Sequence, residues 1–88
     1  MRKIKKGRKM KKIIKFEKSN CQPCLAVSDI LDDAGIKYEA INPFDQPELA
    51  TKFQVRSVPT VVVLDDEVEI ERIIGVDVTG LKNISNLL

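Results

Sequence analysis

Three consecutive stretches constrain this chain more than any others: Thr60-Val61-Val62-Val63-Leu64, then Asp65-Asp66-Glu67, then Val68-Glu69-Ile70-Glu71-Arg72-Ile73-Ile74. Both flanking runs are β-like, and so short a connection between two strands forces an antiparallel hairpin. A continuous β-branched run is the pattern of a strand covered on both faces. The chain must therefore build a central strand with an antiparallel neighbour and find apolar cover for it elsewhere. With 88 residues in all, that cover comes from one domain with one modest core.

The residues before the hairpin supply it. Ile13-Ile14-Lys15-Phe16-Glu17 reads as a short strand ending in the polar Lys18-Ser19-Asn20 loop. Val27, Ile30, Leu31 and Ala34 then fall at i, i+3, i+4 and i+7, one apolar helical stripe. Asp29, Asp32 and Asp33 lie off that stripe as a solvated face, and Gly35 is placed to end the helix in a left-handed conformation. Lys37-Tyr38-Glu39-Ala40-Ile41-Asn42 alternates as a second strand, with Tyr38, Ala40 and Asn42 on one side. Pro43 and Pro47 bracket a loop, and Pro47 opens a short helix over Glu48 to Phe53. After the hairpin, Gly75 ends the strand, and Thr79 can cap a last helix in which Leu81, Ile84, Leu87 and Leu88 share a face. The predicted order is β-α-β-α-β-β-α, an α/β domain. Two strand-helix-strand steps imply right-handed crossovers and predict a parallel pair at the sheet centre.

Cysteine occurs only in Asn20-Cys21-Gln22-Pro23-Cys24, between the first strand and its helix. Cys21 would stand at the helix N-terminus, where unpaired N–H groups and the helix dipole favour a thiolate. Cys24 falls one turn inside, close enough to bond but more shielded, and Pro23 fits the first helical turn. This spacing suits thiol–disulfide exchange. A zinc site needs four ligands, and the chain has no other cysteine and no histidine, so no metal is expected. A static staple is the remaining alternative, but so small a ring closes little chain entropy.

Charge separates the chain into two parts. Eight of the first twelve residues are Lys or Arg, whereas Met10 to Leu88 carry nine basic and thirteen acidic residues, a net of −4. Residues 1–9 are thus a basic head on a mildly acidic domain spanning 10–88. Clustered Lys and Arg can bind nucleic acid or anionic lipid. The expectation is instead a flexible extension, since a plausible strand follows Met10 directly. Hydrophobic content of 43% and charged content of 32% exclude a disordered chain. No apolar run approaches a membrane span and no signal-peptide core follows the charges. A cytoplasmic protein is expected, with neither membrane nor nucleic acid as partner.

At this point the chain resembles the thioredoxin family, in its compact members that lack an extra N-terminal strand. The resemblance rests on Cys21-Gln22-Pro23-Cys24 after the first strand, Val58-Pro59-Thr60 before the hairpin and Gly75 after it, and covers roughly residues 12–88. It implies a four-stranded mixed sheet in the order 2-1-3-4, flanked by helices. It also implies reduction of protein disulfides, with Cys21 attacking and Cys24 resolving. No cofactor beyond the Cys21–Cys24 disulfide is expected, and the partners would be disulfide-bearing proteins and an upstream reductase acting on a monomer. Pro59 would follow a cis peptide bond, leaving the Val58 backbone to pair with an extended client. Val58, Pro59, Val76 and the residues around Cys21 (Asn20, Gln22, Pro23) would form the docking surface.

Departures from the family are equally definite. Asn20 and Gln22 stand where thioredoxins usually have tryptophan and glycine. Lys15 and Ala40 stand where they have a buried acid and its lysine partner, so neither half of that proton relay is present. Lys15 is expected either to snorkel to the surface near Glu17 or to keep its ammonium near the sulfurs and favour thiolate, the second being preferred. Glutaredoxins, which share the compact fold, are the rival. Gly75-Val76-Asp77 retains part of their glutathione segment, and Lys15 or Lys18 could supply a positive charge. A non-enzymatic binding module using the basic head is the third reading.

Overall fold

The hairpin turn is tighter than its three polar residues imply. β3 runs through Asp65 and β4 begins at Val68, so Asp66 and Glu67 alone make the turn. Both have positive φ, +53° and +72°, the twist that matches two right-handed strands. The computed structural model describes residues 11–88. The basic head at residues 1–9, expected as a flexible extension, lies outside the described residues. The elements are β1 (Lys11–Phe16), α1 (Gln22–Asp33), β2 (Glu39–Ile41), α2 (Pro47–Lys52), β3 (Thr60–Asp65), β4 (Val68–Ile74) and α3 (Val78–Asn83). A 3-10 turn over Ile84–Leu87 follows.

The sheet has the order β2-β1-β3-β4. Its parallel pair, β1 with β2, includes the outer strand, and the central pair β1–β3 is antiparallel. This corrects the expectation of a parallel pair at the centre. α2 has only six residues, about 9 Å of rise, and the chain enters β3 at the end of the sheet where it left β2. Thr60 accordingly pairs with Phe16, and Phe16 with Ile41.

β3 is buried from Thr60 to Leu64, as its apolar run requires. Val61 and Val63 face Val27, Leu31, Leu81 and Ile84 beneath α1 and α3. Val62 and Leu64 face Ile14, Phe16 and Ile41, with Leu49 and Phe53 of the α2 region closing that side. Helices therefore cover both faces, and β1 alternates between the two cores.

Three local readings need correction. β2 is three residues rather than six, starting only at Glu39; at its other end Asn42 turns the chain, its Oδ1 accepting the Phe44 N–H at 2.9 Å and its carbonyl those of Asp45 and Gln46. Asp77 caps α3 instead of Thr79, its Oδ1 accepting the Gly80 N–H at 3.0 Å. Leu88 is 50% exposed, since the 3-10 turn winds at about three residues per turn and rotates off the α-helical face. Gly35, at φ +71°, does end α1 in the left-handed region.

Candidate active site

β1 carries the chain to one end of the sheet, and Asn20, at φ +54°, turns it into α1. Cys21 is the N-cap, with extended backbone at φ −126° and ψ 101°. Its Sγ accepts the backbone N–H of Cys24 at 3.1 Å, and its carbonyl accepts that of Leu25 at 3.2 Å. Sulfur thus occupies the place where a Ser or Asp oxygen ordinarily caps a helix. A thiolate there gains both a charge-assisted hydrogen bond and the positive end of the dipole. Pro23 lies in the first turn, where no N–H is needed. Cys21 and Cys24 are joined as a disulfide, their Cα atoms 5.2 Å apart. Both sulfur-bearing residues are buried, while Asn20, Gln22, Pro23 and Leu25 around them are exposed.

The Val58–Pro59 peptide bond is cis, and the segment is tied down on both sides. Thr60 Oγ1 donates to the Ser57 carbonyl at 2.7 Å, and the Gly75 N–H donates to the Pro59 carbonyl at 2.9 Å. Through that second bond the residues flagged after the hairpin meet the proline. Val76 is 47% exposed beside it, Pro59 is buried and Val58 is half-buried. Among the described residues, no turn or loop hydrogen bond uses the backbone N–H or carbonyl of Val58. A groove of about 390 Å³ runs from Val58 past Arg56, Phe44 and Lys18.

Lys15 takes neither course foreseen for it outright. Its side chain is 1% exposed, so it does not snorkel to water. Its Nζ donates to Glu17 Oε1 and to Ser28 Oγ, and lies 5.6 Å from the centre of the Tyr38 ring. The Tyr38 hydroxyl donates to the same Ser28 oxygen at 3.0 Å. Lys15 and Glu17 share the lining of a cavity of about 410 Å³ with Cys21 and Cys24. Ala40, at the other relay position, is exposed. A larger hollow of about 550 Å³ lies at the hairpin end of the sheet, by Lys12, Glu39 and Phe53, away from the sulfurs.

Two groups escaped sequence reasoning. Ser28 carried a signal, since it follows Cys24 by one helical turn on the same face. Arg72 carried none, because alternation sets it and Glu69 on opposite faces of a strand and its carbonyl partners come from a distant segment. It grips Glu69 with two hydrogen bonds, at 2.8 and 2.9 Å, and donates to the carbonyls of Phe53 and Gln54. It thereby ties β4 to the segment that leads toward Val58. The hydrogen bonds from Arg72 hold the Glu69 carboxyl below its ordinary value, and Glu69 raises the guanidinium in turn. Asp77 spends its carboxylate on its own helix, as the α3 cap. Among the described residues no group of three or more His, Cys, Asp or Glu is placed to hold a metal ion. Nor is any helix there long and apolar enough to cross a membrane.

A family model described as Glutaredoxin matches residues 13–69. A prophage-derived thioredoxin-like protein of Bacillus subtilis is 37% identical over 65 residues, which cover 73% of this chain and 81% of that protein. The chain belongs to the thioredoxin family. A thioredoxin of Pyropia yezoensis is 31% identical over 61 residues, covering 62% of this chain and 57% of its own length. Among solved structures, thioredoxin 1 of Thermosipho africanus superposes with a TM-score of 0.70 at 28% identity, covering 86% of this chain and 91% of that one. The germline-specific thioredoxin of Drosophila melanogaster reaches 0.78 at 23% identity, covering 89% and 80%, a likeness of fold. Family and geometry agree: Cys21 and Cys24 form the redox-active disulfide of a thiol–disulfide oxidoreductase.

Proposed function

We propose that this chain reduces disulfides in other proteins. The observation that carries the reading is the capping sulfur: Cys21 Sγ accepts the Cys24 N–H at the start of α1, which favours its thiolate. Cys21 attacks a client disulfide, and Cys24 then displaces the client by closing the Cys21–Cys24 bond. The client's extended backbone pairs with the unengaged N–H and carbonyl of Val58. Val76, Pro59, Asn20, Gln22 and Pro23 line its approach. The cysteine pair is the only redox group required, and an upstream reductase recharges it. The unit that works is a monomeric domain of residues 10–88, in a reducing compartment such as the cytoplasm. Residues 1–9 take no part in exchange.

A glutathione-dependent reaction is the second reading, favoured by the Glutaredoxin match and by Lys18 and Arg56 in the groove that starts at Val58. Insulin reduction run beside a glutathione mixed-disulfide assay separates the two. Turnover of insulin with little glutathione activity supports the protein reductase; the reverse result replaces it. A reduction potential near about −270 mV fits a reductase, and one roughly 100 mV higher fits an oxidant.

A further inference from the structure

The exchange reaction as described leaves a buried cation without a task. Lys15 is enclosed at the active-site end of β1, with its ammonium on Glu17 and Ser28 and over Tyr38. Its position relative to the two sulfurs is set by α1. Ser28 follows Cys24 by four residues, so their side chains are neighbours about one turn apart, about 6 Å along the axis, on the same face. The Lys15 ammonium, bonded to Ser28 Oγ, lines the same cavity as Cys24. Cys21, at the cap, is further along the axis and already has its own donor, the Cys24 N–H.

The charges around the ammonium are unequal in reach. Glu17 is the acid that meets it, and the Glu17 side chain is 35% exposed whereas that of Lys15 is 1%. Water screens the carboxylate more than the ammonium, so a positive field survives toward the buried sulfur. Lys18, on the loop, adds a second positive charge to the rim of the same cavity, and Tyr38 contributes the negative face of its ring to Lys15.

We propose that Lys15 is a positioning residue for Cys24: its ammonium, held by Glu17, Ser28 and Tyr38, stabilises the Cys24 thiolate in the step that closes the Cys21–Cys24 disulfide. The proposal rests on the exchange reading and adds the group that makes the second thiol reactive. In the mixed disulfide, Cys21 is bonded to a client sulfur and Cys24 is a thiol. Cys24 releases its proton to water in the cavity, and its sulfur attacks Cys21 Sγ. The Cys21–client bond breaks, and the client sulfur leaves as a thiolate that takes a proton from water. The protein pair is oxidised by two electrons and the client disulfide is reduced by two. The sequence reading keeps the charge of Lys15 near the sulfurs; the position of Ser28 one turn after Cys24 assigns it to Cys24.

The test titrates the Cys24 thiolate by its ultraviolet absorbance in full-length Cys21→Ser protein, so no client is needed. Adding Lys15→Met should move the midpoint to higher pH, leaving about threefold or more less thiolate at neutral pH. Lys15→Arg should restore it, and Glu17→Gln should move it the opposite way, because the remaining ammonium is then uncompensated. No shift on Lys15→Met, or a shift to lower pH, overturns the proposal. If Lys15→Met does not fold, Glu17→Gln decides alone, and an unchanged or higher midpoint there overturns it. Opposite shifts in a protein that fails to reduce insulin sustain the role of Lys15 while removing the reductase reading.

Discussion

The backbone N–H of Cys24 is aimed at the Sγ of Cys21, 3.1 Å away. The residue that closes the disulfide therefore also supplies a donor to the attacking sulfur. In reduced protein this predicts unequal thiols. Cys21 should alkylate at neutral pH clearly faster than Cys24, because its thiolate is the better stabilised and the more accessible. Cys24→Ser should trap mixed disulfides with clients, and Cys21→Ser should be inert in exchange. Equal alkylation rates by mass spectrometry would reverse the assignment of roles.

Glu67 occupies the second position of the hairpin turn at φ +72°. A residue with a Cβ is disfavoured there by about 1 kcal/mol or more, whereas glycine is not. Glu67→Gly should raise the thermal midpoint by a few degrees, as expected for a domain of this size. A lowered midpoint would show that the Glu67 side chain contributes more than its backbone costs.

Arg72 predicts a pH dependence. Its hydrogen bonds lower the folded-state value of Glu69, so the contribution of Glu69 is complete above its ordinary 4.5 and is lost as pH falls below that. The pair is partly exposed, which limits the effect to under about 1 kcal/mol. Glu69→Gln should flatten the stability profile below about pH 4.5 and leave neutral stability little changed. Arg72→Met should do more, since the Phe53 and Gln54 carbonyls lose a donor. Faster amide exchange from Phe53 to Val58 would register that loss, and unchanged exchange would refute it.

Among the described residues, 11–88, both cores and the cysteine cavity have their lining in place. Deletion of residues 1–9 should therefore leave insulin reduction and the thermal midpoint within experimental error. A large fall in either would assign that segment a place against the domain.

What the sequence disclosed was whatever a local period or a short connection dictates. Val27 and Leu31 announced a helical face, the Asp65-Asp66-Glu67 turn announced a hairpin, and Cys21 announced a cap because its chemistry and position coincide. What it withheld depended on competition between neighbours. Asp77 and Thr79 are both good caps, and only the reach of Asp77 to the Gly80 N–H decides between them. The burial of Lys15 depended on Ser28 and Tyr38, which arrive from two other segments. Arg72 looked like an ordinary charge on an alternating strand until its loop partners were in place.

β4 forms one margin of the sheet, and Val68, Ile70 and Ile74 are exposed along it. Such a margin offers unpaired peptide groups to any passing strand, and apolar side chains make the offer more dangerous. Glu69, Glu71 and Arg72 interrupt it with charge, and the register slip opposite Val63 and Leu64 bends it out of line. The other margin, β2, is too short at three residues to template much pairing. Both margins are thereby poor templates for the sheet of a second copy.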